Sequence, residues 1–149
     1  MVPNVLVKRF ESKSTLRWMI KIEGIDSFLA KRVELPQFKR RPTKVCHDKG
    51  KNCGLDVSTM HVEFCNTTDV ELNKDLCAWM ASYDVYRACE LCYLDQNGTL
   101  IERWKMRVFP HRLSFTPLDY AERPVQECTS STFVEFNVEF EGIEYPTAR

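Results

Sequence analysis

The sequence predicts a mainly β fold, an antiparallel β-sandwich or barrel with one flanking α-helix. Three observations carry this. The stretch "STFVEFNVEFEG" (131–142) alternates strictly, with Val134, Phe136, Val138 and Phe140 on one side and Glu135, Asn137, Glu139 and Glu141 on the other. The Asn97-Gly98 pair, a strong hairpin signal, separates two strand-like runs. Only one stretch, 67–86, shows apolar residues at helical spacing. The 149 residues fit a single domain, 1–149, large enough to bury a core without metal or disulfide staples.

In chain order, "LRWMIKI" (16–22) sets Trp18, Ile20 and Ile22 against Arg17, Met19 and Lys21. "EGID" follows as a turn and "SFLAKRVEL" (27–35) resumes as a strand, so the two are expected to pair as a hairpin. Residues 37–54, "QFKRRPTKVCHDKGKNCG", lack apolar periodicity and read as a long basic loop. "LDVSTMHVEF" (55–64) is one expected strand, with Met60, Val62 and Phe64 on one side and His61 and Glu63 on the other.

In the helical stretch, Val70, Leu72, Leu76, Trp79, Met80 and Tyr83 form the apolar stripe. Thr68 or Asp69 is the expected cap, with Glu71 near the positive end of the dipole. "ACELCYL" (88–94) then runs into Asn97-Gly98, where both residues tolerate the positive φ of a type I′ turn. On the returning strand, Arg103, Lys105 and Arg107 share one face, and Leu100, Trp104, Met106 and Val108 the other. Pro110 cannot donate a ladder hydrogen bond, so the strand ends or reaches an edge there.

The charge balance is zero overall, but residues 1–51 carry 13 Lys and Arg against 5 Asp and Glu, and the remainder 8 against 16. If the fold keeps these halves apart, copies can stack head to tail; if strands from both halves interleave, the asymmetry averages out. The start of the chain shows no apolar signal region. With an odd count of seven cysteines, this predicts reduced thiols rather than a disulfide framework.

Cys89 and Cys92 have C-x-x-C spacing, yet residues three apart on a strand point to opposite faces. Cys46, His47 and Cys53, with His61 or Cys65, match no compact metal motif. The three histidines sit in no nucleophile-and-base arrangement, and no glycine-rich phosphate loop is present. No enzyme, cofactor or metal is therefore expected. The basic run Lys39, Arg40, Arg41, Lys44 has one adjacent aromatic, Phe38, and suits an acidic neighbour at least as well as nucleic acid.

Taken together, "RWMIKIEGI", "FLAKRVELPQFKR", the "LCAWMASY" helix, and Asn97-Gly98, Ile101, Trp104, Phe109-Pro110 and Leu118-Asp119-Tyr120 in order resemble the tail tube proteins of contractile-tailed bacteriophages. That family is related to the inner-tube proteins of contractile injection systems and type VI secretion. The resemblance implies a protomer whose sheet joins its neighbours in a ring-wide β-barrel, with hexameric rings stacked into a hollow tube that delivers DNA. It implies self-association, sheath and baseplate partners, and passage of DNA without sequence-specific binding. The setting would be a virion tail assembled in the host cytoplasm, without a membrane. Glu135, Asn137, Glu139 and Glu141 become lumen-facing candidates. Lys39, Arg40, Arg41, Lys44, Lys49 and Lys51 become candidates for ring stacking or sheath contact. A baseplate tube initiator or an injection-system tube is the sibling reading. A monomeric β-barrel that binds a ligand or RNA is the rival from another class.

Overall fold

The computed structural model describes residues 17–40, 55–67, 71–117 and 130–146. Among the described residues eight strands form: β1 (Arg17–Ile22), β2 (Ala30–Glu34), β3 (Phe38–Arg40), β4 (Leu55–Val57), β5 (Met60–Cys65), β6 (Arg87–Leu94), β7 (Leu100–Phe115) and β8 (Ser131–Glu144). An α-helix, α1 (Leu72–Met80), lies between β5 and β6. Six strands make an antiparallel, nearly closed barrel-like sheet in the order β1-β6-β7-β8-β5-β2, and β3 pairs with β4 separately. The expected fold class holds.

The core follows from alternation. Ile20 and Ile22, Met60, Val62 and Phe64, Cys89 and Leu91, Met106 and Val108, and Val134 and Phe136 all turn inward and are buried. At one end α1 closes this interior with Leu72, Leu76 and Trp79. The Trp79 ring meets Phe109 and Phe136, with centroids 6.3 and 5.8 Å away, and its indole N–H donates to the Val85 carbonyl. Arg87 stacks on the same ring at 4.2 Å and also bonds Asp75 and the Glu23 carbonyl. A single cation thus ties helix, β6 and the turn after β1 together.

Several local expectations are corrected. β1 and β2 are not a hairpin: β1 pairs with β6, β2 with β5, and they form the two ends of the sheet order. The connection is too long for a tight turn and holds a 3-10 turn, Ser27–Leu29, capped by the Asp26 carboxylate. The 55–64 run breaks at Ser58, whose amide and hydroxyl bond Gln37 across the gap. That exchange splits β4 from β5 and recruits residues 38–40 of the expected loop as β3. Residues 41–54 lie outside the described residues.

The helix begins at Leu72 after Glu71, with no side-chain cap; Thr68, Asp69 and Val70 lie outside the described residues. Tyr83 falls beyond the helix end and is 99% exposed rather than part of the core stripe. At the β6–β7 turn only Gly98 has positive φ, +83°, so the turn is not type I′. The Asp95 carboxylate accepts the Asn97 and Thr99 amides, and the Gly98 amide donates to the Asp95 carbonyl. This is an Asx-stabilised three-residue loop that needs a left-handed residue only at its last position. Cys77, Cys89 and Cys92 are free thiols, but Cys65 is disulfide-bonded, which corrects the expectation of reduced thiols throughout. Spatial approach of two sulfurs, which spacing alone does not reveal, decides pairing.

Because Trp79 joins the core, the Phe109 contact and the Arg87 node, Trp79→Ala should cost about 3–5 kcal/mol. Thermal unfolding monitored by circular dichroism should show Tm falling by on the order of 10 °C.

Candidate functional site

The longest elements, β7 and β8, pair along most of their length and form a ribbon. Their flanking strands are offset. β6 covers β7 only from Leu100 to Val108, and β5 covers β8 only from Ser131 to Phe136. Among the described residues, no strand pairs with β7 beyond Val108 on the β6 side, nor with β8 beyond Phe136 on the β5 side. Two half-edges of open backbone result, at opposite ends and on opposite sides of the ribbon. Pro110 lies just past the last β6 pair, so β7 does not end there but continues as an edge to Phe115.

The outer face of this ribbon carries two charged rows. Arg103, Lys105 and Arg107 come from β7, and Glu135, Glu139 and Glu144 from β8. The expected acidic face therefore shares its surface with a basic one. Arg107 lies opposite Glu139 in register, and Arg112 opposite Glu135. Arg103 bonds Glu144 at 2.9 Å and approaches Glu90 of β6 at 3.9 Å; Lys105 approaches Glu144 at 3.7 Å. The hydrogen bond from Arg103 holds the Glu144 carboxyl below its usual range and raises Arg103.

Two bulges set these pairings. Glu141 is an extra residue in β8, so Lys105 faces Gly142 while Met106 faces Phe140; His111 is extra in β7. A bulge shifts side-chain parity by one. That is why Glu144 rather than Glu141 meets the basic row, and why Arg112 shares the face of Arg107. The sequence offered one clue to the first bulge: Gly142, with φ +154°, follows Glu141 where the alternation stops.

Among the lumen candidates, Glu135 and Asn137 are half-buried, while Glu139 and Glu141 are exposed. Glu135 lines a cleft of about 370 Å³ with Arg32, Glu34, His61, Arg112 and Phe133. There His61 lies between Glu34, 3.4 Å from Nδ1, and Glu135, 3.7 Å from Nε2. Beside it, Glu63 accepts a 2.6 Å bond from the Ser131 hydroxyl and pairs with Lys31 at 3.5 Å. Of the basic candidates, Lys39 and Arg40 are exposed on β3; Arg41, Lys44, Lys49 and Lys51 lie outside the described residues. Phe38 anchors this strand, with its ring against Phe140 and Trp104 at 4.9 and 6.0 Å.

Of the motif residues, Asn97 and Gly98 make the β6–β7 turn, Trp104 is half-buried and Pro110 buried; Leu118, Asp119 and Tyr120 lie outside the described residues. The Trp104 indole donates to Glu102, an inward-facing carboxylate that alternation did not single out. Cys89 faces the core, where burial pushes its thiol up to about 12, and burial also raises Cys92. Among the described residues, no three His, Cys, Asp or Glu side chains gather as a metal site. The described helix is not long and apolar enough to cross a membrane.

The chain matches no family model and no curated protein sequence. Two solved structures share its architecture. One is from the cryo-EM structure of the anti-feeding prophage baseplate, at TM-score 0.54 and 9% identity, covering 88% of this chain and 93% of that one. At that identity the likeness is one of fold. The second, Hcp1 from Salmonella typhimurium, agrees at TM-score 0.51 and 14% identity, covering 87% and 86%. The resemblance to contractile tube proteins is thus matched at the level of the fold.

Glu63 supplies a pH test. Its folded pKa lies below the ordinary 4.5, chiefly through the Ser131 hydroxyl bond, so its stabilising contribution is present above the unfolded pKa and lost as pH falls through the folded one. In urea titrations, Glu63→Gln should cost stability at pH 6. The deficit should shrink steadily below pH 4.5.

Proposed function

We propose that this chain is a non-enzymatic tube or baseplate-ring subunit that self-assembles by sheet extension. The offset half-edges of β7 and β8 carry this reading. An isolated edge of this length is an aggregation liability that proteins usually blunt. Two such edges on opposite sides of one ribbon, with strands running antiparallel, suit a heterologous contact in which the open β8 half of one copy receives the open β7 half of the next. Repetition with the tilt that barrel closure demands gives a ring, hexameric by the sequence resemblance.

In that ring the inner wall is the charged outer face of the ribbon, with Glu135, Asn137 and Glu139 on it and Glu141 at its bulge. The basic row beside it makes the wall mixed in charge. DNA would then pass because net attraction is small, not because an acidic surface repels it. Sheath and baseplate partners and a place in a phage tail or phage-like particle complete the proposal. The likeness to a chain of a baseplate structure keeps the single-ring initiator as the sibling role.

Backbone direction supplies the test. The Thr116 amide donates to the Ser131 carbonyl, so by antiparallel alternation the Phe115 amide points away from β8 toward the open side. Phe115 is 47% exposed. Phe115→Pro should therefore leave the monomer's circular dichroism and Tm nearly unchanged but remove hexameric rings in native mass spectrometry and negative-stain images. Rings that persist at wild-type abundance would refute edge closure. A wild-type chain that stays monomeric even beside baseplate seeds would refute the tube reading itself.

A further inference from the structure

Two turns present aromatic rings to solvent at one end of the protomer. Tyr83 is 99% and Phe28 88% exposed. Each is flanked by a carboxylate, Asp84 beside Tyr83 and Asp26 two residues before Phe28, and both acids are exposed. Neither turn is loose. The Asp26 side chain accepts the Phe28 amide at 3.0 Å. Asp84 holds φ +46°, a left-handed conformation uncommon for a non-glycine residue, between the Ser82 hydroxyl bond to Trp79 and the Trp79 bond to Val85. Arg87 links the two turn regions by bonding the Glu23 carbonyl while stacking on Trp79.

The pairing registers place both turns at the same end. Ala30, just after the Phe28 turn, pairs with Phe64, which pairs with Thr132, which pairs with Phe115. β6 begins at Arg87 opposite Val108 and runs from there toward Leu100, so the Tyr83 turn precedes it on the Phe115 side. The β3–β4 hairpin lies in the other half of the ribbon, where Phe38 rests on Phe140 and Trp104. Lys39 and Arg40 project from that hairpin, exposed.

We infer that the Phe28 and Tyr83 turns form a cation-receiving seat for Lys39 and Arg40 of a second copy, stacked head to tail. An exposed aromatic face beside a carboxylate suits a guanidinium or ammonium group, which gains from the ring's quadrupole and the acid together. Basic hairpin and acidic aromatic end are opposite ends of one molecule, so the contact repeats without consuming itself and builds a stack. This rests on the tube reading for its setting but concerns a different surface from the ring-closing edges.

Charge exchange tests it. Tyr83→Ala, Asp84→Lys and Arg40→Glu should each leave rings intact in native mass spectrometry. Each should also shorten tubes in negative stain at least tenfold. The Asp84→Lys/Arg40→Glu double variant should recover length relative to either single variant. Single variants that stack like wild type, or a double variant that recovers nothing, would overturn the seat. If the wild-type chain forms no rings even beside baseplate seeds, the tube reading fails separately. The seat is then read in concentrated protein by carbodiimide cross-linking and mass spectrometry: an intermolecular Lys39–Asp84 or Lys39–Asp26 link supports it, and neither link overturns it.

Discussion

The pairing of β7 with β8 is the constraint on which the rest of the molecule depends. It is the longest register in the structure, and it supplies Met106, Val108, Val134 and Phe136 to the interior. Every other strand of the main sheet is placed directly or indirectly against it: β6 and then β1 on one side, β5 and then β2 on the other. Because antiparallel registers propagate, a slip in this ribbon would turn a whole set of side chains to the wrong face. Hydrophobic alternation along β8 opposes such a slip, since a one-residue shift would bring Glu135 inward in place of Phe136.

The bulges qualify that regularity in a useful way. Were Glu141 paired regularly instead of bulged, Glu144 would not share a face with Arg103, and were His111 paired regularly, Arg112 would turn toward the core. Each bulge keeps charge outside while letting the long ribbon twist. The ion pairs that result are exposed and individually worth little. What they accomplish is local neutralisation of a surface that would otherwise present two repelling rows.

Much of this was legible in the sequence because alternation reports burial directly. The alternating apolar residues of β5, β7 and β8 and the core residues of α1 were identifiable, as was a turn at Asn97-Gly98, whereas the inward Glu102 and the buried Phe109 and Thr132 were not. Strand partnership was not. β1 and β2 look like hairpin neighbours because they are adjacent in the chain, whereas their partners are chosen by the sheet as a whole. The split at Ser58 depends on hydrogen bonds to Gln37, distant in sequence, and no local propensity encodes it. Glu141 stands apart from the basic row for the same reason: side-chain parity passes through a bulge that only three-dimensional register reveals. The candidate site was therefore readable as a set of residue types but not as a surface.

The β3–β4 hairpin stands apart from all of this. Its strands are hydrogen-bonded to each other in a sheet separate from the main one, the Gln37–Ser58 exchange continues their ladder, and the ring of Phe38, itself 38% exposed, rests on Phe140 and Trp104. Partial burial of one aromatic ring is worth on the order of 1–2 kcal/mol. The contact with the barrel through Phe38 is thus one of side chains rather than of ladder bonds. A load applied at Lys39 or Arg40 would therefore reach the packed Phe38, Phe140 and Trp104 rings before it reached any bond of the six-stranded sheet.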